Sequence, residues 1–319
     1  MGAIQSVFST LISWITDGIP LSNWVDIALD FLIDKISWLT RALSGGVEAG
    51  IDGLVSVFLF PHWIVVVLII TGLAVFVSWK DIQKKLHEGG STKRSFGSSL
   101  KIVLKGNGLA LFTFFGLLLI INLGLWEQTM QTLALVLVST IIAVFLGVPI
   151  GILAALNSRF YQFVKPLLDF MQTMPAFVYL IPAIPFFGLG PVSAAFATVV
   201  FSIPPAIRLT ALGIIQIDAE MIEAADSFGS TTMQKLMKVQ IPLALPTIMA
   251  GINQTIMLAL SMVVIAAMIG AGGLGSEVWR AIQRLRSGEG LVAGLAVVIL
   301  AIILDRITQK ISNSDVVSK

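Results

Sequence analysis

The sequence contains no cysteine, which excludes disulfides, thiolate metal sites and a cysteine nucleophile. Only two histidines occur, His62 and His87, and they lie far apart, so no metal site is expected. Charge is scarce: Lys, Arg, Asp and Glu make up 12% of the 319 residues. That is roughly half the share of a soluble domain. The formal net charge of +2 gives no reason to expect a nucleic-acid partner. No G-x-x-x-x-G-K-[ST] phosphate loop occurs, so the chain is not expected to hydrolyse ATP alone. The first residues lack a basic n-region, so no cleavable signal peptide is expected and insertion rests on internal spans.

What is abundant is apolar length. Hydrophobic residues make up 56% of the chain, and the mean hydropathy is +0.95. About 20 apolar residues cross a bilayer as a helix. Seven spans are expected, near 60–79, 106–124, 130–155, 168–188, 191–213, 245–270 and 290–307. The fold class that follows is an all-α, polytopic membrane helix bundle. The fourth and fifth spans and the junction between them hold Pro175, Pro182, Pro185, Gly188, Gly190 and Pro191, which break or bend helices. Prolines and glycines are tolerated in membrane helices where neighbours satisfy the freed backbone groups.

The basic residues orient the chain. Lys80, Lys84, Lys85, Lys93, Arg94, Lys101 and Lys105 follow the first span. Arg159, Lys165, Arg208, Lys235, Lys238, Arg306, Lys310 and Lys319 fall on the same side, fifteen of the twenty in all. The positive-inside rule places that side in the cytoplasm, with the N-terminus outside and the C-terminus inside. Residues 1–58 read as too charged to span. Asp26, Asp30 and Asp34 share one helix face, and Trp14, Trp24 and Trp38 suit an interface, so an amphipathic outer-surface helix is expected there. The organisation is then 1–58 as an interfacial region, 59–128 as accessory helices with a basic loop, and 129–310 as the core. The lysines of 80–105 either touch anionic membrane lipids or only set topology.

The most informative stretch is the cytoplasmic segment 218–242. Good helix formers run from Ala219 to Ala225, Gly229 suits a helix stop, and Thr231 or Thr232 suits an N-cap for a second short helix reaching about Val239. Pro242 then precedes the next span. A helix–turn–helix of this kind can dock in a groove on another protein.

Glu223-Ala224-Ala225, with Gly229 after it and Val239-x-Ile241-Pro242 further on, resembles the EAA loop of ABC importer permeases. The stretches Asp169 to Pro182 and Ile248 to Val264 are similar to the glycine betaine/proline-betaine members of that family. The likeness runs from about Leu125 to Lys310. It implies a type I ABC importer permease fold, a homodimer, two ATPase subunits and a substrate-binding protein, which is expected to be a separate chain. ATP and Mg would be used by the ATPase, and no cofactor would be bound here. Glu223 would make a polar contact to the ATPase, Ala224 and Ala225 would form the close-packed face, and Gly229 the turn, with Ile241 and Pro242 completing the motif.

Other features are weaker. Gly270-Ala-Gly272-Gly273-Leu-Gly275 satisfies G-x-G-x-x-G, but it follows a membrane span instead of a strand, so dinucleotide binding is not expected. Gly272, Gly273 and Gly275 are instead candidates for an outer gate, flexible or close-packed. Arg280 and Arg284 share a helix face that suits an acidic receptor surface or plain solvent. Asp169 behind Pro166 reads as part of a helix start. A quaternary ammonium is commonly held by aromatic faces. The candidate path residues are Phe177, Tyr179, Asn253, Gln254 and Ser261, with helix packing as the alternative for each. An ion-coupled secondary transporter and an intramembrane enzyme are the competing classes. Both call for buried ionisable groups, and residues 239–276 contain none.

Overall fold

The computed structural model describes the backbone of residues 21–88 and 96–315, and the side chains of 23–79 and 108–311. Among the described residues all regular structure is helical. The elements are α1 Leu21–Leu59, α2 Trp63–Glu88, α3 Phe96–Asn122, α4 Trp126–Leu156, α5 Ser158–Thr173, α6 Leu180–Phe187 and α7 Pro191–Ile215, followed by α8 Ala219–Ser227, α9 Thr232–Lys235, α10 Ile241–Ala266, α11 Gly273–Gln283 and α12 Ser287–Asp315. A 3-10 turn, Ala176–Tyr179, joins α5 to α6, and a π turn, Leu236–Gln240, joins α9 to α10.

Helix α7 is the hub, packed between α4 and α10. Glycine makes that approach close. A Cβ on Gly147 would sit 2.8 Å from the Ala206 Cβ, and one on Gly151 would sit 2.6 Å from the Ile207 carbonyl oxygen. These two glycines form a G-x-x-x-G stripe, a pattern that lets membrane helices touch through their backbones. On the other side of α7, Gly213 meets Thr247 and Gly251 meets Leu209. Two buried hydroxyls in these helices bond to their own turn, Thr198 to the Ala194 carbonyl (2.7 Å) and Thr255 to that of Gly251 (3.0 Å). These two hydroxyls therefore bring no unpaired polar atom into the apolar core. A second cluster, around Leu117, Ile120, Ile299 and Ile303, packs α2 and α3 against α12.

Three expectations change. The segment 168–188 is not one straight span. Ser158–Thr173 and Ala176–Phe187 meet at an angle of 111°, because Pro175 cannot extend the first helix. Asp169 does not start a helix either. Helix α5 begins eleven residues earlier, where the Asn157 side chain accepts the backbone N–H groups of Arg159 and Phe160. Pro166 sits inside it.

Residues 1–58 are not uniformly too charged to span. Asn23–Leu59 lies in one helix, and its stretch from Leu43 to Leu59 carries only Glu48 and Asp52, so length and composition would allow a crossing. By that criterion five helices qualify among the described residues, or six with the bent pair counted as one. The described apolar parts of α2 and α3, Trp63–Trp79 and Gly108–Asn122, are shorter. Trp14 and the segment around Lys93 lie outside the described residues.

Candidate functional site

The segment 218–242 forms a compact two-helix loop. Helix α8 ends as expected: Gly229 has a φ of +72°, and its N–H donates to the Asp226 carbonyl (2.9 Å). Thr231 caps α9 with a reciprocal bond pair to Gln234, its hydroxyl accepting the Gln234 N–H and its own N–H donating to the Gln234 side chain. Lys235 then reaches back to both oxygens of Asp226 (2.8 and 3.0 Å), bracing α9 against α8. Ile241 packs with Ile214, Leu236, Ala244 and Ile248, and Pro242 occupies the first turn of α10, where a missing N–H leaves no helix bond unmade.

The loop offers a distinct outward surface. Glu223 and Ala224 are exposed, whereas Ala225 is buried against its own chain. The two alanines therefore do not share one open face. Phe228, which the motif reading did not single out, is 90% exposed, and Met221, Met233 and Met237 are exposed around it. An apolar group of this size held at a loop tip favours burial in a partner. Its position directly before the turn glycine was the available signal.

At the other end of α10 the glycines are packed. Gln131 and Thr132 of α4 accept the N–H groups of Gly273 and Leu274 (3.0 and 2.8 Å), so the first turn of α11 is capped by side chains from another helix. A Cβ on Gly273 would lie 2.4 Å from the Thr132 hydroxyl, and one on Gly275 would lie 2.8 Å from the Val263 carbonyl oxygen. The neighbouring turn joins in, since the Gly190 N–H donates to the Ile269 carbonyl (2.9 Å). Close packing, not looseness, is what these glycines supply. Beside them Arg280 holds both oxygens of Glu277 (2.8 Å each), and Arg286 holds Glu289 (2.7 Å).

The five candidate path residues separate into two groups. Phe177, Gln254 and Ser261 are exposed. Tyr179 is buried, its ring against Phe201 and its hydroxyl donating to the Met171 carbonyl across the bend, which makes it a staple for the 111° break. Asn253 turns toward α12 and donates to Asp305 (3.1 Å), which also accepts from Gln309 (2.7 Å). Arg208 lies inside α7, two turns before its end, and pairs with Asp169 of α5 at 2.5 Å. On the far side of α7, an entirely apolar groove of about 510 Å³ lies among Leu43, Ile141, Phe145, Phe196 and Ile203, with no polar group to orient a charged solute.

Comparison with known proteins places this geometry. Residues 147–313 match the family described as binding-protein-dependent transport system inner membrane component. The glycine betaine transport system permease protein OpuAB of Bacillus subtilis is 48% identical over 293 residues, 92% of this chain and 94% of that protein. The glycine betaine/carnitine transport permease protein GbuB of Listeria monocytogenes is 48% identical over 292 residues, 91% and 95% of the two chains. The glycine betaine/proline betaine permease ProW of Escherichia coli is 43% identical over 298 residues, 92% and 76%. Among solved structures, an inward-facing MetNI methionine ABC transporter aligns with a TM-score of 0.56 at 23% identity, covering 60% of this chain and 95% of that one. A second crystal form gives 0.54 at 24%, covering 58% and 92%. These structures share the fold, that of a type I ABC importer permease. ABC importer permeases work with an ATPase and a substrate-binding protein in the cell membrane, and ATP is hydrolysed by the ATPase. The chain belongs to the binding-protein-dependent transport system inner membrane component family and is a multi-pass permease subunit of an ABC importer, not an enzyme.

Proposed function

We propose that this permease takes up glycine betaine or a closely related quaternary-amine compatible solute, in the service of osmoprotection. The observation that carries the reading is near-half identity, over nine-tenths of the chain, to permeases named for glycine betaine. We further propose a homodimer seated on two ATPase subunits, with a substrate-binding protein on the opposite face and lipid around the apolar exterior. ATP and Mg are used by the ATPase, and this chain binds no cofactor.

In this reading the loop 218–242 is the coupling element. Glu223 and Ala224 present the polar and small surfaces to the ATPase, Phe228 fills an apolar pocket there, and Ala225, Ile241 and Pro242 hold the loop to its own chain. Gly229 sets the turn between the helices. Closure of the ATPases on ATP pushes α8 and α9 as a braced unit, and the π turn passes that push into α10. The packed turns at Gly272, Gly273 and Gly275 form the outer gate, and Phe177, Gln254 and Ser261 line the path. The charge asymmetry supports a cytoplasmic C-terminus. An outside N-terminus accompanies it if α1 rests on the outer surface, as the acidic face of Asp26, Asp30 and Asp34 favours.

The test is co-expression with the ATPase and receptor, purification of the assembly and reconstitution in proteoliposomes. ATP hydrolysis should rise with betaine-loaded receptor, and labelled glycine betaine should accumulate only with ATP. Accumulation that persists with an inactivated ATPase would sink the reading.

A further inference from the structure

We propose that Asp169 and Arg208 form a charge station on the transport path, where Arg208 takes the carboxylate of a zwitterionic solute and Asp169 its quaternary ammonium. The inference rests on the proposed substrate class and adds to it a site within the membrane subunit.

The placement follows from how α7 and α10 pack. Gly213 meets Ala244 and Thr247, and Leu209 and Pro205 meet Gly251, so the two helices run antiparallel in contact. Helix α7 turns Pro205, Leu209 and Gly213 toward α10, and Ala206 lies between α10 and α4. It turns Ile203, Ile207 and Thr210 toward α4 and α5. At 100° per residue, the arc left over holds Phe201, Arg208 and Leu212. Helix α10 turns Ala244, Thr247 and Gly251 toward α7, and Asn253 toward α12. Its remaining arc holds Ala250, Gln254, Met257 and Ser261, of which all four are exposed.

For antiparallel neighbours these two arcs open to the same side. The turn Ala176–Tyr179 marks that side, packing against both helices and holding Tyr179 on Phe201. Arg208 therefore belongs to the surface of Phe177, Gln254 and Ser261, about one turn nearer the coupling loop than Gln254.

The chemistry fits a small zwitterion. Such a solute keeps both charges at every pH near neutrality, and each is costly to move through a low-dielectric bundle without a partner. Helix α10 has no ionisable residue from Ile241 to Ala266. Asp305, on α12, faces α10 and is already bonded to Asn253 and Gln309. Among the described residues, Asp169 and Arg208 are the one pair of opposite charges on the open face. At rest they neutralise each other at 2.5 Å, so neither is left unpaired. A passing zwitterion exchanges that pairing for two new ones. The guanidinium fork suits a carboxylate. A quaternary ammonium donates no hydrogen bond and is held by a carboxylate field and an aromatic face, here Asp169 and Phe177. Both partners stay partly open, with Arg208 34% and Asp169 53% exposed, so a solute can reach them.

The competing role is a mechanical tie between α5 and α7, and the test separates the two. In the reconstituted assembly, D169N, R208Q and the apolar double variant D169M/R208M should each lower glycine betaine uptake per ATP hydrolysed by about tenfold or more, as expected for losing a charge-assisted bond. A tie tolerates apolar replacement of both partners, so wild-type uptake per ATP in D169M/R208M would overturn the proposal. A second measurement needs no variant. The wild-type permease–ATPase complex without receptor should give a saturation-transfer NMR signal from the methyl protons of millimolar glycine betaine, and absence of that signal also overturns the proposal. Failure of the wild-type assembly to take up glycine betaine strikes the proposed substrate. Normal uptake by wild type and double variant alike strikes the station alone.

Discussion

The two ends of α10 use glycine for opposite purposes. Before α10, Gly229 has a φ of +72° and nothing within 4 Å of where its Cβ would be. After it, Gly273 has nearly the same φ, +69°, but its missing Cβ leaves space that the Thr132 hydroxyl occupies. The first glycine is needed for backbone conformation alone. The second is needed for conformation and for contact with a helix 141 positions away. The turn before the helix thus leaves open space beside its glycine, and the turn after it is locked into the bundle. A rod that receives a push at one end and turns a closed seal at the other would be built this way.

The largest expected effect comes from breaking the locked end. Gly273→Val puts a branched side chain where left-handed backbone costs about 1–2 kcal/mol. It also overpacks the Thr132 contact, for about 1–3 kcal/mol more. The Leu274 N–H then loses its acceptor as Thr132 moves. The yield of assembled permease and its melting temperature should both fall markedly. A variant as stable as wild type would show that the glycine turn yields easily, and the contrast between the two ends would collapse.

A smaller and different effect is expected at the open end. Gly229→Val meets the same backbone strain with no steric clash, so insertion should be unchanged and melting should fall by less than in Gly273→Val. The strain falls on the turn that aims α8 at α9. In the reconstituted assembly, uptake per ATP hydrolysed should fall about tenfold, the equivalent of roughly 1.4 kcal/mol of misalignment at the docked interface. Equal loss of stability in the Gly229 and Gly273 variants would erase the distinction between them.

That distinction was only half legible in the sequence. The coupling loop could be read in detail because its determinants are local: the run of helix formers, the glycine stop, the Thr231 cap and Pro242 all act within a few residues. The outer glycines could be recognised as special, yet their partners Gln131 and Thr132 are distant in sequence, so flexible and close-packed readings could not be separated. The same limit applies to Tyr179 and Asn253. Their polar groups suited a path, and only tertiary contacts with Met171 and Asp305 turn them to packing. In sequence Arg208 reads as one of the cytoplasmic basic residues, and its place inside α7 opposite Asp169 depends on how a broken helix folds back. Pro166 suggests a late start for α5, although Asn157 carries the cap signal that sets it. Phe228 has one local mark, its place directly before the turn glycine, and its exposure follows from how α8 and α9 fold together.

The smallest expected effect is the sharpest probe of the comparison. Asparagine tolerates left-handed backbone better than other residues with a Cβ. At Gly229, where no neighbour crowds the site, Gly229→Asn satisfies the one physical requirement, so uptake per ATP should stay within about twofold of wild type, less than 0.5 kcal/mol. At Gly273 the same residue still meets the Thr132 hydroxyl, so Gly273→Asn should lose stability even though its backbone is permitted. Stability and coupling measured on these two variants separate conformation from contact. If Gly229→Asn uncouples as strongly as Gly229→Val, the loop is limited by space that a docked partner fills, and Gly229 becomes a contact residue of the assembled importer.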